Sequence, residues 1–279
     1  MDSNLLRTAS NPPLQTDGRV GRPPGSLSRP PLNGYIVIPT ESLMSQTIGA
    51  CRLCLMPDVP LMDSHIMPKW SYRRASDVGA SPEKRTPIFI KDDVAVQTSF
   101  QLREHLLCHQ CEGLLGRYED YVARLAYQLD GSVGLLKVVR SRPITVPETD
   151  AASLSGLDVL TMARFAASVF WRAHVFTRRS GGLQLWNPQA ESLRRFVLGE
   201  RHLPTDTCIN VLALAGDASS GSEHHTTTVM PTTAKNGDDG WHQFAIAGLV
   251  FDLAMGPSAT KIRAICLACS RHDDSHARG

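Results

Sequence analysis

No uninterrupted apolar run in this sequence reaches the ~20 residues that a membrane-spanning helix needs, so no bilayer segment is expected. The opening residues Met1-Asp2-Ser3-Asn4 lead into no apolar signal region, and the expectation is a cytoplasmic protein. Charge bias is missing as well. Lys and Arg number 29 against 27 Asp and Glu, a formal net charge of +2, so global electrostatics neither require nor exclude a nucleic-acid partner, and any basic surface must be local. No repeat of fixed period occurs, which argues against a solenoid. The seven cysteines are an odd number, a poor basis for a disulfide framework but compatible with metal-bound thiolates in a reducing compartment.

What the sequence does hold is a pair of knuckles. Cys51-Arg52-Leu53-Cys54 and Cys108-His109-Gln110-Cys111 each separate two thiols by two residues. That spacing lets both sulfurs of one turn reach the same tetrahedral zinc ion. One such pair is equally well read as ordinary buried cysteine. Two pairs, the second at the start of a helical pattern after Leu106-Leu107, point to a structural Zn²⁺ held by Cys51, Cys54, Cys108 and Cys111. A thioredoxin-like redox pair is disfavoured, because neither knuckle follows the apolar pattern of a buried parallel strand.

With 279 residues, 42% apolar and 20% charged, the chain can bury one sizeable core or two small ones. Changes of composition predict an α+β protein in four parts. Residues 1–45 are rich in Pro, Ser, Gly and Asn and bury too little to offset the entropy of ordering, so they read as a disordered tail in which Tyr35 to Ile38 is a candidate strand. Residues 46–142 read as a zinc-bound module. Within it Thr86 to Ile90 and Val94 to Val96 predict a hairpin about Lys91-Asp92-Asp93, and apolar positions Leu114, Leu115, Tyr118, Val122, Leu125 and Leu129 predict a helix from Gln110 to Gly131. Knuckle, hairpin and helix together make a treble-clef-like ββα unit.

Residues 143–270 read as a helix-plus-antiparallel-sheet domain of unassigned role, after a linker at Arg140 to Asp150. Ser155-Gly156-Leu157-Asp158 is read as a capping box opening an apolar helix through Ala173. A second helix is expected over Pro188 to Leu198, with Arg194 and Arg195 facing away from its apolar side. Strands are expected at Cys208 to Leu214, Thr226 to Thr233 and Gln243 to Phe251, the last two joined across Lys235 to Gly240, with a fourth at Ile262 to Leu267. Residues 271–279 read as a second disordered tail.

The first knuckle, then Ser64-His65-Ile66-Met67-Pro68-Lys69, then Leu106-Leu107-Cys108-His109-Gln110-Cys111-Glu112 resembles the zinc-stabilised branch of the HNH endonucleases. The chain is most similar to the bacterial proteins of that branch reading C-x-x-C, S-H-I-x-P-K and L-L-C-x-x-C-E. The resemblance covers Ile48 to Leu129 and implies a metal-dependent nuclease hydrolysing DNA phosphodiester bonds. In such an enzyme His65 is the general base, and a divalent ion separate from the structural zinc, Mg²⁺ or Mn²⁺, stabilises charge on the phosphate. An imidazole suits that task because its ordinary pKa lies near neutrality.

The sequence departs from the family pattern at three points. Ser64 precedes the base where an Asp or His ligand is usual, Asp63 lying one position further away. Gln101-Leu102-Arg103-Glu104-His105 lacks the central Asn, and Glu112 stands where a closing His is expected. A carboxylate binds a hard cation well, so Glu112 is taken as the candidate ligand of the catalytic ion, with Glu119 on nearly the same helical face. His105 and His109 are spare imidazoles nearby. The departures keep open a second reading, a catalytically degenerate zinc module that recognises nucleic acid or a protein partner.

Lys69, Arg73, Arg74, Lys84 and Arg85 surround the His65 turn and are the candidate nucleic-acid contacts, with Trp70 and Tyr72 as packing or stacking groups. DNA is the expected partner, RNA or a protein the alternatives, and no membrane is implied. Cys266-Leu267-Ala268-Cys269, with His272 close behind, is read either as half of a second metal site or as small cysteines at a strand end.

Overall fold

The computed structural model describes residues 46–76, 88–91, 94–97, 101–126, 128, 132–140, 156–176, 183–213, 228–236, 239–257 and 259. Both expected tails, the Tyr35 and Ile262 strands and the boundary expected at 142/143 lie outside them. The described chain mixes helices with antiparallel sheet. Among the described residues no helix is long and apolar enough to cross a membrane.

Strand β1 (Ile48–Gly49) pairs antiparallel with β2 (Val59–His65), and the first knuckle is the turn between them. That turn is tight. The Cys51 amide donates to the Met56 carbonyl at 2.9 Å, and Leu55 and Asp58 take φ of 62° and 52°, the left-handed region that a non-glycine residue enters only where a turn demands it. Pro68 follows β2 and denies the chain a helix before it, so helix α1 (Lys69–Ser76) starts directly after, its Ser71 hydroxyl donating to the Pro68 carbonyl at 2.8 Å.

The predicted hairpin is present as β3 (Ile88–Lys91) and β4 (Val94–Gln97), in register Ile88↔Gln97 to Lys91↔Val94. It forms a sheet of its own. The sheet partner of β2 is instead β5 (Arg103–Cys108), antiparallel, with a register shift between Met62 and Asp63. The succession that reaches the second knuckle is therefore β2, β5 and helix α2 (His109–Leu125), which follows without a loop because Cys108 is still extended when it caps the helix.

Helix α2 buries Cys111, Leu115, Tyr118, Val122 and Leu125, the face expected from the sequence. It ends at Leu125 rather than near Gly131. The Gln128 side-chain amide turns back to donate to the carbonyls of Ala123, Arg124 and Ala126, occupying acceptors that a longer helix would have used. A separate short helix α3 (Gly134–Arg140) then begins against this end, so close that a Cβ on Gly134 would clash with the Arg124 carbonyl oxygen.

Helix α4 (Val159–Val175) is apolar on almost every side and is buried in the core of the unit Met44–Gly279. Its N-cap is Asp158, whose carboxylate accepts from the Thr161 amide at 2.9 Å and hydroxyl at 2.6 Å, so the expected Ser155 box gives way to a cap three residues later. Helix α5 (Asn187–Leu198) has Pro188 in its first turn and closes on Gly199 at φ 80°.

Strands β6 (Thr207–Ala213), β7 (Thr228–Asn236), β8 (Asp239–Ile246) and β9 (Leu249–Met255) form one antiparallel sheet in the order β6-β9-β8-β7. The single strand expected over Gln243 to Phe251 is two. Ala247 and Gly248 at φ 44° and 78° make the two-residue turn with both φ positive that joins twisted antiparallel strands. Phe165 of α4 meets Phe244 and Phe251 of this sheet, and Phe170 meets Phe244, with ring centroids 5.0 to 6.2 Å apart.

Residues Met44–Gly279 form one compact unit, and one cluster of buried residues runs from Cys51 in the first knuckle to Ala259 beyond β9. The Tyr118 hydroxyl of α2 donates to the Val197 carbonyl of α5 at 3.1 Å inside that cluster. The knuckles, α4 and the β6–β9 sheet thus share one core.

Candidate metal centre and the His65 turn

The turn after β1 delivers Cys51 and Cys54, and the junction of β5 with α2 delivers Cys108 and Cys111. Their four sulfurs all lie within 4.8 Å of one another, with Cys54 Sγ and Cys108 Sγ 3.9 Å apart. Four sulfurs at ~2.3 Å from a tetrahedral zinc stand about 3.8 Å from each other, so the cluster has the size of a Cys₄ zinc site. It could hold a metal ion as sequence analysis expected.

Burial pushes the Cys111 and Cys54 thiols up, because a thiolate loses its hydration there. Cys111 is raised by burial first and by its neighbour Cys51, and Cys54 is raised although the Met56 amide opposes it. For Cys51 burial is outweighed by the amides of Cys108, Cys54 and Leu53, which bring it down to about 7. A divalent cation relieves this conflict, since it lets all four sulfurs ionise together.

Beside the knuckles, β2 ends on His65, half-buried between α1 and β5. Its Nε2 lies 2.7 Å from the Gln101 side-chain oxygen just before β5, and its ring centroid is 6.0 Å from that of Tyr72 on α1. Burial holds the Tyr72 hydroxyl up to about 12. An amide oxygen only accepts, so Nε2 carries a proton directed at Gln101, and in the neutral ring the lone pair is then on Nδ1. No described residue bonds Nδ1.

The main chain of His65 is held from α4. Arg172, 1% exposed, donates from Nη1 to the His65 carbonyl oxygen at 2.8 Å, and its Nη2 lies 2.8 Å from Glu119 Oε1 on α2. Burial raises the Glu119 carboxyl, Arg172 opposes that shift, Glu112 adds to it and His65 subtracts from it, so these four groups lie within electrostatic reach of one another. Glu112, in the first turn of α2, has a buried Oε1 without a hydrogen-bond partner. The carboxylate of Glu119 is taken by Arg172. Among the described residues the four cysteines are the one group of three or more such side chains whose ligand atoms lie close enough to share an ion, and His65, Glu112 and Glu119 do not make a second.

Of the expected phosphate contacts, Lys69 and Arg73 are exposed on α1. Arg74 donates from Nη2 to the Ala123 carbonyl at 2.9 Å and lies 4.7 Å over the Trp70 ring, binding α1 to α2. Lys84 and Arg85 lie outside the described residues, as do Cys266, Cys269 and His272. Asp63 pairs with Arg103 at 3.0 Å on the surface. His105 and His109 are exposed, and Cys208 is buried on β6 with its thiol 3.4 Å from the Asn210 side-chain oxygen.

Sequence reasoning missed Arg172 and Gln101, and it misplaced Arg194. Far from facing away, Arg194 is 7% exposed, pairs with Glu191 at 2.7 Å and donates to the Leu53 carbonyl inside the first knuckle, its apolar stem lying in the core. A signal for Arg172 was there: a charge inside the apolar run that follows Arg164 in α4 must be bonded if it is buried. No family model, curated protein or solved structure matches this chain.

Proposed function

We propose that this chain is a metal-dependent endonuclease of the HNH-like kind, with a treble-clef ββα module formed by the first knuckle, β2, β5 and α2, and with Zn²⁺ in a purely structural place. The observation that carries the reading is His65. It closes the strand paired to the one entering the second knuckle, and its Nε2–H is engaged by Gln101 so that the Nδ1 lone pair remains to take a proton from water. Fixing the ring by its other nitrogen is how a general base is given one tautomer and one direction.

Glu112 suits a hard cation. Its buried Oε1 has no hydrogen-bond partner, and a carboxylate oxygen is a donor that Mg²⁺ and Mn²⁺ accept. Such an ion would supply charge stabilisation at the scissile phosphate. Lys69 and Arg73, exposed on the helix that follows the turn, are the groups to hold a DNA backbone.

A second reading has an observation of its own. Glu119 is spent on Arg172, and among the described residues no second cluster of ligand atoms accompanies Glu112, which favours a degenerate module that binds nucleic acid or a protein partner. Incubating the zinc-loaded protein with duplex DNA, single-stranded DNA and RNA, each with Mg²⁺ and with Mn²⁺, decides between them. Divalent-dependent cleavage supports the nuclease. Salt-sensitive DNA binding with no cleavage in any condition replaces it by the binding module.

A further inference from the structure

Of the two arginines of α4, Arg172 is the fully buried one, and it reaches the site that the knuckles and β2 build. Arg172 is almost wholly enclosed, yet it reaches three elements: Nε donates to the Ser168 carbonyl of its own helix at 3.4 Å, Nη1 donates to the His65 carbonyl on β2, and Nη2 forms an ion pair with Glu119 on α2. A guanidinium is planar and offers its N–H groups in a fixed fork, so bonding two of these partners also sets the distance between them. A methionine or leucine would fill the volume as well and avoid the desolvation of a buried charge. Packing therefore does not account for an arginine here, whereas the need to hold two polar groups in one geometry does.

Those two groups are informative. The acceptor on β2 belongs to His65 itself, so the bond fixes the main chain from which the imidazole springs, while Gln101 fixes the far end of the ring. The acceptor on α2 is Glu119, seven residues beyond Glu112 on nearly the same face. Resting on the nuclease reading, we infer that Arg172 is a positioning residue for that reaction. It locks His65 to α2, and Glu119 serves as its counter-charge and not as a metal ligand. Helix α4 is thereby part of the catalytic apparatus although it touches no substrate.

The test uses the full chain loaded with zinc and two variants. Lysine in R172K keeps a positive charge for Glu119 but has a single nitrogen that cannot also reach the His65 carbonyl. R172M/E119Q removes both charges together, so that neither is left buried alone. Ring ¹⁵N and ¹³C NMR signals of His65 report whether the imidazole keeps one tautomer and one orientation, independently of any activity. Both variants should bind one zinc and stay folded, yet show averaged His65 ring signals. Wherever wild type cleaves DNA, kcat should fall about 10²-fold with KM little changed, the loss expected of a base misplaced by roughly an ångström. If R172M/E119Q fails to fold, R172K carries the comparison alone. Unaltered His65 signals in a folded, zinc-loaded variant would overturn the inference, as would an unaltered kcat. If wild type cleaves nothing, the nuclease reading falls, and the His65 signals still decide whether Arg172 positions the ring.

Discussion

Arg194 of α5 donates a hydrogen bond to the carbonyl oxygen of Leu53, the residue immediately before Cys54 in the first knuckle. Two further bonds aim the guanidinium, from Nε and Nη2 to the Glu191 carboxylate at 2.7 and 2.8 Å. The Leu53 side chain is itself wholly buried, so its carbonyl needs a protein partner. A helix far along the chain thus sets the shape of the turn that presents Cys51 and Cys54.

Outer partners of metal ligands typically change affinity by 10-fold to 100-fold. R194M should therefore release zinc about 10-fold to 100-fold faster to a chromogenic chelator than wild type does. E191Q should lie between them, because it keeps the Leu53 bond but loosens its aim. The pairing with Arg194 holds the Glu191 carboxyl below its usual range, so the latch is complete above the ordinary carboxylate pKa and fails as pH falls through the depressed one. Zinc release at equal chelator should accelerate in that acid window more in wild type than in R194M.

The Cys₄ cluster carries a second prediction. Purified, untagged protein should contain one tightly held zinc per chain, and C54S or C111S should lose it. The knuckles lie in the same continuous core as α4 and the β6–β9 sheet, so loss of zinc should lower the melting temperature of the whole chain and not of one half. Metal analysis with thermal melting followed by circular dichroism checks this. A folded, metal-free preparation with an unchanged melting temperature would remove the zinc centre.

Two histidines, His242 buried and His174 half-buried, contribute to the response to acid. Burial lowers both His174 and His242 from their ordinary 6.5. His174 Nδ1 accepts from the Leu185 amide at 3.2 Å, a bond that protonation destroys, and His242 Nδ1 lies 3.1 Å from the Thr233 hydroxyl inside the sheet. Below 6.5 the unfolded chain takes up protons that the folded chain refuses, so stability rises with pH through that window and is lost as pH falls below 6.5. The urea midpoint should drop between about pH 7 and about pH 5, and H242N should flatten part of the drop. A midpoint independent of pH over that range would contradict the burial of both rings.

Much of the local structure was legible because it follows from short-range rules. Apolar spacing marked α2, α4 and α5, the β-favouring runs marked the β3–β4 hairpin, and cysteine spacing brought out the four sulfurs. What escaped the sequence depends on partners distant in the chain or on uncommon turn residues. Ala247 is no turn former by type, and its positive φ hid a hairpin inside one apolar run. The pairing of β2 with β5 joins Leu61 to Cys108, which local pattern does not encode. Arg172 and Arg194 looked like ordinary charged residues, since only the fold reveals the carbonyls of His65 and Leu53 that they reach.

On the proposed nuclease reading, the chemistry would turn on His65 and Glu112. In a live nuclease H65A should abolish cleavage while leaving zinc content and the melting temperature nearly unchanged, because a general base contributes roughly 10²-fold to 10⁴-fold to the rate and the fold is clamped elsewhere. Loss of the His65 ring frees Gln101 to meet water, whereas the His65 carbonyl and its Arg172 bond survive the substitution. E112A should be as damaging, and its defect should ease at high Mn²⁺ if the carboxylate is the cation's ligand. E112Q keeps the shape and one oxygen donor but removes the charge, so it should bind the ion more weakly than wild type yet recover at a lower Mn²⁺ concentration than E112A. Equal defects in E112A and E112Q at every Mn²⁺ concentration would strip Glu112 of the ligand role. Cleavage that survives H65A would place the reacting groups away from the β2 end, and the Nδ1 lone pair left free by Gln101 would then have no catalytic use.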